Sequence, residues 1–84
     1  MNRRKLLKKL VQGDLRNVSF ADMVSLVKDF GFTLSRTRGS HHLFAHPDIP
    51  ELINLQDVAG EAKPYQIRQF LRLVEKYNIK LEGA

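Results

Sequence analysis

The chain is organised around the stretch Phe32-Thr33-Leu34-Ser35-Arg36-Thr37-Arg38-Gly39-Ser40-His41-His42-Leu43-Phe44-Ala45-His46. Its first five residues alternate apolar and polar, the period of a half-buried strand. Arg38-Gly39-Ser40 is a turn signal. His41 to His46 resumes as a second strand, so the two halves read as a β-hairpin. Pro47 to Pro50 then breaks the chain into a loop. Leu52-Ile53-Asn54-Leu55-Gln56 follows as a third short strand.

Helical patterns flank these strands. On the N-terminal side, Ser19 is a good N-cap, and Asp22 three residues later completes an [ST]-x-x-[DE] box. Val18 and Met23 hold the positions of a hydrophobic staple around it. Phe20, Met23, Val24, Val27 and Phe30 then recur at helical spacing up to Gly31, which predicts a helix over 20–30. On the C-terminal side, Asp57 to Lys63 is a loop, and Pro64 suits the first turn of a helix. Ile67, Phe70, Leu71, Val74 and Tyr77 form the apolar stripe of that helix, 64–77, with Arg68, Arg72, Glu75 and Lys76 opposite. A further short helix is expected over 2–12, where Leu6, Leu7, Leu10 and Val11 make one stripe. So short a helix must dock to persist. The order ααβββα predicts a two-layer α+β domain, three antiparallel strands with helices on one face.

With 84 residues, one domain is expected. A chain this short buries only about 60% of the surface its unfolded form exposes. That excludes a cofactor-wrapping enzyme of the dinucleotide type. The absence of Cys excludes disulfides, zinc ribbons and a thiol nucleophile. No apolar run approaches the ~20 residues of a membrane span, and the apolar patch after Lys5 is too broken for a signal peptide. A cytoplasmic location is expected.

The net charge is +5, from 14 basic and 9 acidic residues. Residues 1–16 hold six basic residues (Arg3, Arg4, Lys5, Lys8, Lys9, Arg16) against Asp14. The remainder balances eight against eight, so the whole excess lies in this segment. Such a segment suits a polyanionic partner. It reads equally well as a solvated helix face whose Lys and Arg stems lie over apolar surface.

Chemistry concentrates between Arg36 and His46. All three histidines lie here, two arginines flank the turn, and no Asp or Glu occurs between Phe30 and Pro47. Imidazole, with an unperturbed pKa near ~6.5, exchanges protons at neutral pH. RNA carries its own nucleophile, the ribose 2′-hydroxyl. A general base or acid beside it, with guanidinium groups at the phosphate, suffices for strand cleavage without a metal. Ser40 and backbone N–H groups around Gly39 are suited to further phosphate contacts. Adjacent strand residues point to opposite faces, so at most one of His41 and His42 enters a given site. His42 and His46 would lie about 7 Å apart along one strand face with no carboxylate nearby, a poor metal site. His46-Pro47 reads as a strand-end or loop contact. If Leu43 faces the helices, His41 shares its side; if Phe44 does, His42 is the covered ring. No P-loop, GxSxG, HExxH or GxGxxG occurs.

Arg38-Gly39-Ser40-His41-His42-Leu43-Phe44, followed by His46-Pro47-Asp48, resembles the core signature of the HicA (YcfA-like) toxin family. The resemblance extends over the helix ending in Phe30-Gly31-Phe32, the strand Leu52-Ile53-Asn54-Leu55 and the Gly60–Leu71 segment. Residues 1–17 then read as a helical extension of a core at 18–84. The resemblance implies a double-stranded-RNA-binding-like α-β-β-β-α fold and a translation-blocking mRNA endonuclease that needs no metal or other cofactor. It also implies a HicB-type antitoxin as partner. It makes His41, the residue after Gly-Ser, the catalytic group, with His42 as the alternative. Arg36, Arg38, Gly39, Ser40 and Lys63 would serve RNA binding. Two other readings fit the residues: a non-catalytic RNA-binding module, and a protein-interaction domain that docks through its N-terminal helix.

Overall fold

The computed structural model describes residues 2–81. Three helices, α1 (Arg3–Val11), α2 (Phe20–Asp29) and α3 (Pro64–Tyr77), accompany three strands, β1 (Thr33–Arg38), β2 (His41–Ala45) and β3 (Ile53–Gln56). The strands form one antiparallel sheet in the order β1-β2-β3. From α2 onward the α-β-β-β-α succession is that of a double-stranded-RNA-binding-like domain, with α1 added in front.

The expected local signals act where the sequence places them. Ser19 Oγ accepts the Asp22 N–H at 3.0 Å, satisfying one of the donors that a helix start leaves without a partner. Asn2 does the same for α1, accepting from the N–H groups of Arg4 and Lys5. Pro64 opens α3, and Asn78 closes it in the left-handed conformation. The loop before α3 has more order than its composition suggests. Val58 and Glu61 exchange backbone hydrogen bonds of 3.0 Å, with Ala59 and Gly60 both at positive φ, the pattern of a type I′ turn. Gly60 and Ala62 are also bonded to Phe20 and Val18, which ties this loop to the start of α2.

The core lies between the helices and one sheet face. Met23, Leu26 and Val27 of α2, Phe44 of β2, Ile53 and Leu55 of β3, and Ile67 and Phe70 of α3 are buried in it. Phe70 meets Phe30 and Phe32 edge to face at 5.3 and 6.1 Å between ring centroids, a favoured aromatic geometry. Leu6 and Leu10 of α1 join the same cluster.

Two details differ from expectation. β1 is an edge strand exposed along its whole length, and Leu34 is 47% exposed. Phe32, just before it, carries the burial instead. On α3 the fully covered positions are Gln66, Ile67, Phe70 and Leu73, whereas Leu71 and Val74 are only partly covered. Those two residues line a groove shared with Leu7 and Val11, so α1 draws the apolar stripe sideways.

Candidate active site

The pleat of β2 settles which histidine faces which side. Phe44 is 1% exposed and pairs with Ile53, while His42 pairs with Leu55, so this set shares the helix-covered face. His41 and Leu43 therefore stand on the open face, opposite Gln56 and Asn54.

A β-bulge brings the arginines to the same side. Leu34 pairs with Phe44, but Arg36 pairs with Leu43, so β1 carries one extra residue, Ser35, between them. One extra residue inverts the facing of everything that follows it. Without it, Arg36 and Arg38 would stand on the side of Leu34 and Phe44. With it, Arg38 lies directly across from His41, and Arg36 across from Leu43. Directly opposed residues have Cβ atoms about 5 Å apart. The open face thus carries two cross-strand rows, Arg38–His41–Gln56 and Arg36–Leu43–Asn54.

The turn joining these rows is built for exposure. Gly39 has φ +57, a conformation that costs other L-residues energy, and Ser40 is not at positive φ, which is the type II′ hairpin pattern. A Cβ added at Gly39 would meet nothing within 4 Å, so the tip is open to a ligand. The Ser40 carbonyl accepts the Asp57 N–H at 3.0 Å, and Ser40 Oγ accepts from Gln56 Nε2 at 3.4 Å. Gln56 is itself held from behind. Its N–H donates at 2.7 Å to Oε1 of Gln66, which is 1% exposed on the first turn of α3. A buried amide of α3 thereby fixes the end of β3 and, through it, the turn.

The two adjacent rings have different surroundings. His41 Nδ1 lies 3.1 Å from Asn54 Nδ2 and 3.3 Å from Oδ1. An amide can donate to a bare Nδ1 or, turned over, accept from a protonated one. Asn54 can therefore accompany His41 through both protonation states. His42 Nδ1 lies 3.0 Å from the Ser40 carbonyl, which only accepts, so this nitrogen carries a proton. Its ring packs on Phe20 at 4.8 Å. His46 Nδ1 accepts the Asp48 N–H, and its ring meets Phe32 at 5.1 Å, the loop contact expected of it. Lys63 stands at the N-cap position of α3 with its ammonium over the Tyr65 ring. Among the described residues no hydrogen bond or ion pair joins it to the hairpin. Nor does any group of three His, Asp or Glu side chains converge there as metal ligands would. Two loop carboxylates are held elsewhere: Asp57 accepts the Gly60 N–H, and Glu51 accepts from Tyr77 and Lys76.

The structure therefore gathers His41, Arg36, Arg38, Gly39 and Ser40 on the open face, with His42 bonded to the Ser40 carbonyl but facing the other side, and Lys63 joined to none of them. Asn54 and Gln66 escaped the sequence reading. Asn54 lay within an expected strand, but its facing depended on the undetermined pleat. Gln66 sits among the polar residues of an amphipathic helix, where nothing signals burial.

The fold and this cationic open face define a double-stranded-RNA-binding-like domain. The comparison with family models identifies it further: the model for the HicA toxin of bacterial toxin-antitoxin systems matches residues 20–75. The chain belongs to that family, and α1 precedes the matched span. Searches among curated proteins and among solved structures return no match. Among the described residues no helix is long and apolar enough to cross a membrane.

Proposed function

We propose that this chain is a metal-independent endoribonuclease that cuts mRNA in the cytoplasm, held in check by a HicB-type antitoxin that covers the open sheet face. The observation that carries the reading is the bulge at Ser35, which puts Arg36 and Arg38 on the same open face as His41. A phosphodiester laid across the Arg36 and Arg38 row has its negative charge met by two guanidinium groups. His41 is then the general base: Nε2 takes the proton of the 2′-hydroxyl, whose oxygen attacks the adjoining phosphorus. The bond to the 5′-oxygen breaks, and that oxygen leaves with a proton from solvent. The products are a 2′,3′-cyclic phosphate and a 5′-hydroxyl. The nucleophile belongs to the substrate, so no metal-activated water is needed. Gly39 and Ser40 shape the tip, Lys63 adds a phosphate contact at the edge, and Asn54 positions the imidazole.

End-labelled RNA incubated with the protein in EDTA tests this. Wild type should leave cyclic-phosphate ends, and none where the scissile nucleotide lacks its 2′-hydroxyl. His41→Ala should abolish cleavage while the domain stays folded. His42→Ala should retain cleavage at a cost in stability, because that ring packs on Phe20. Loss of cleavage in His42→Ala alone would transfer the catalytic role to His42. Intact RNA with salt-sensitive binding by wild type would leave the non-catalytic RNA-binding module.

A further inference from the structure

The net positive charge of the chain lies in residues 1–16, apart from the arginines of the hairpin. α1 packs against α2 and shares an apolar groove with α3, while Leu6 and Leu10 point into the core. At 100° per residue, the side of α1 facing away from those leucines carries Lys5, Lys8 and Gln12, with Arg4 on its flank. Arg4, Lys5 and Lys8 are exposed, and among the described residues none of them has a carboxylate partner.

The other cations of this segment are engaged and show the contrast. Arg3 pairs with Asp29. Lys9 donates to the carbonyls of Asp14 and Arg16, closing the loop after α1. Asp14, held below the usual carboxylate range by the Arg16 N–H and the nearby cations, neutralises part of their charge. Among the described residues of this segment, the cations of the outward row are those without such a partner. The row runs toward an open cleft of about 490 Å³ that Gln12 lines together with Arg16 and Arg68.

We infer that the outward row of α1 is a second RNA-binding surface, an anchor for the phosphodiester backbone separate from the hairpin. This deepens the RNA reading given above and rests on it. The chemistry of the row favours a nucleic acid over a protein. Lys is depleted at the desolvated centres of protein interfaces, which need apolar or aromatic anchors. Beside the row only Val11 is apolar, 70% exposed at the lip of the groove, and one small aliphatic side chain is no such anchor. Phosphate contacts need only cations at regular spacing, and Arg4 and Lys8 lie one turn apart, about 6 Å along the axis. α2 and α3 cover the face of the sheet opposite the hairpin arginines, and the molecule measures 31 × 29 × 21 Å. An RNA engaging both surfaces must reach around the protein. Short RNAs therefore use the hairpin alone, whereas long ones use both.

The test is the salt dependence of affinity, measured for wild type and for the triple variant Arg4→Gln, Lys5→Gln, Lys8→Gln. Two RNAs are compared, one of about six nucleotides and one of about thirty. Both proteins carry His41→Ala so that cleavage does not intervene. Thermal unfolding confirms that the triple variant, altered only at exposed positions, remains folded. On the long RNA, losing three phosphate contacts should flatten the slope of log K against log salt by about 2. Between 50 and 200 mM salt, the wild-type advantage should shrink roughly fifteenfold. The short RNA should bind both proteins alike. Equal slopes on the long RNA overturn the inference, as does an equal loss on both RNAs, which would merge α1 with the hairpin site. These outcomes are independent of catalysis, so a protein that binds without cutting fails the proposed activity and leaves the anchor standing.

Discussion

The most searching perturbation of the proposed site is Asn54→Asp. The new carboxylate replaces an amide whose atoms lie 3.1 and 3.3 Å from His41 Nδ1, with no change in side-chain size. A unit charge pair about 4 Å apart interacts by about 1 kcal/mol in bulk water and about 4 kcal/mol at an effective dielectric of 20. At 1.36 kcal/mol per pKa unit, that corresponds to roughly 1 to 3 units. Both residues are only partly buried and solvent screens them, so the lower end, about one unit, is the working figure. The negative charge favours the imidazolium, so the pKa of His41 rises. A general base works unprotonated, so the acidic limb of the pH–rate profile must move to higher pH by about one unit. The assay is single-turnover cleavage of a labelled RNA from pH 5 to 9, with binding measured in parallel. Cleavage that persists with an unmoved acidic limb would refute the assignment of His41 as base, or its coupling to Asn54.

Two further predictions concern the frame around the site. Gln66→Leu leaves the Gln56 N–H without its buried acceptor and should cost about 1–3 kcal/mol. At about 4–8 °C per kcal/mol for a domain of this size, a melting curve will show it. Glu51 is held below the usual carboxylate range, first by the Tyr77 hydroxyl at 2.6 Å and then by Lys76 at 3.1 Å. A carboxyl whose folded pKa is depressed contributes stability above its unfolded pKa and loses it as the pH falls through the folded one. Wild type should therefore lose melting temperature below about pH 4.5 more steeply than Glu51→Gln, and a pair of parallel curves would remove Glu51 from the acid response.

The sequence makes the helices and the hairpin visible because each carries a local physical signal. Ser19 and Pro64 mark helix starts, Gly39 marks the turn, and apolar residues recur with the right period. What stays hidden depends on relations between distant segments. The bulge at Ser35 leaves the alternation Phe32-Thr33-Leu34-Ser35-Arg36 unbroken, and only the pairing with β2 exposes it. The facing of His41 and His42 stays open because Leu43 and Phe44 are both apolar enough for the core. The covered face is chosen by Ile53 and Leu55 across the sheet. Gln66 looks like a surface residue until β3 presents an N–H to it. The stripe on α3 is read slightly off centre because α1 also claims Leu71 and Val74.

The surplus residue in β1 also restricts how this gene can drift. In a ribbon with a two-residue repeat, lengthening or shortening the first strand by one codon between Leu34 and Arg36 swaps both guanidinium groups to the opposite side, whereas a change of two codons restores them. Relatives that keep both arginines beside the His41 position should accordingly differ here by even numbers of residues, or compensate elsewhere in the ribbon.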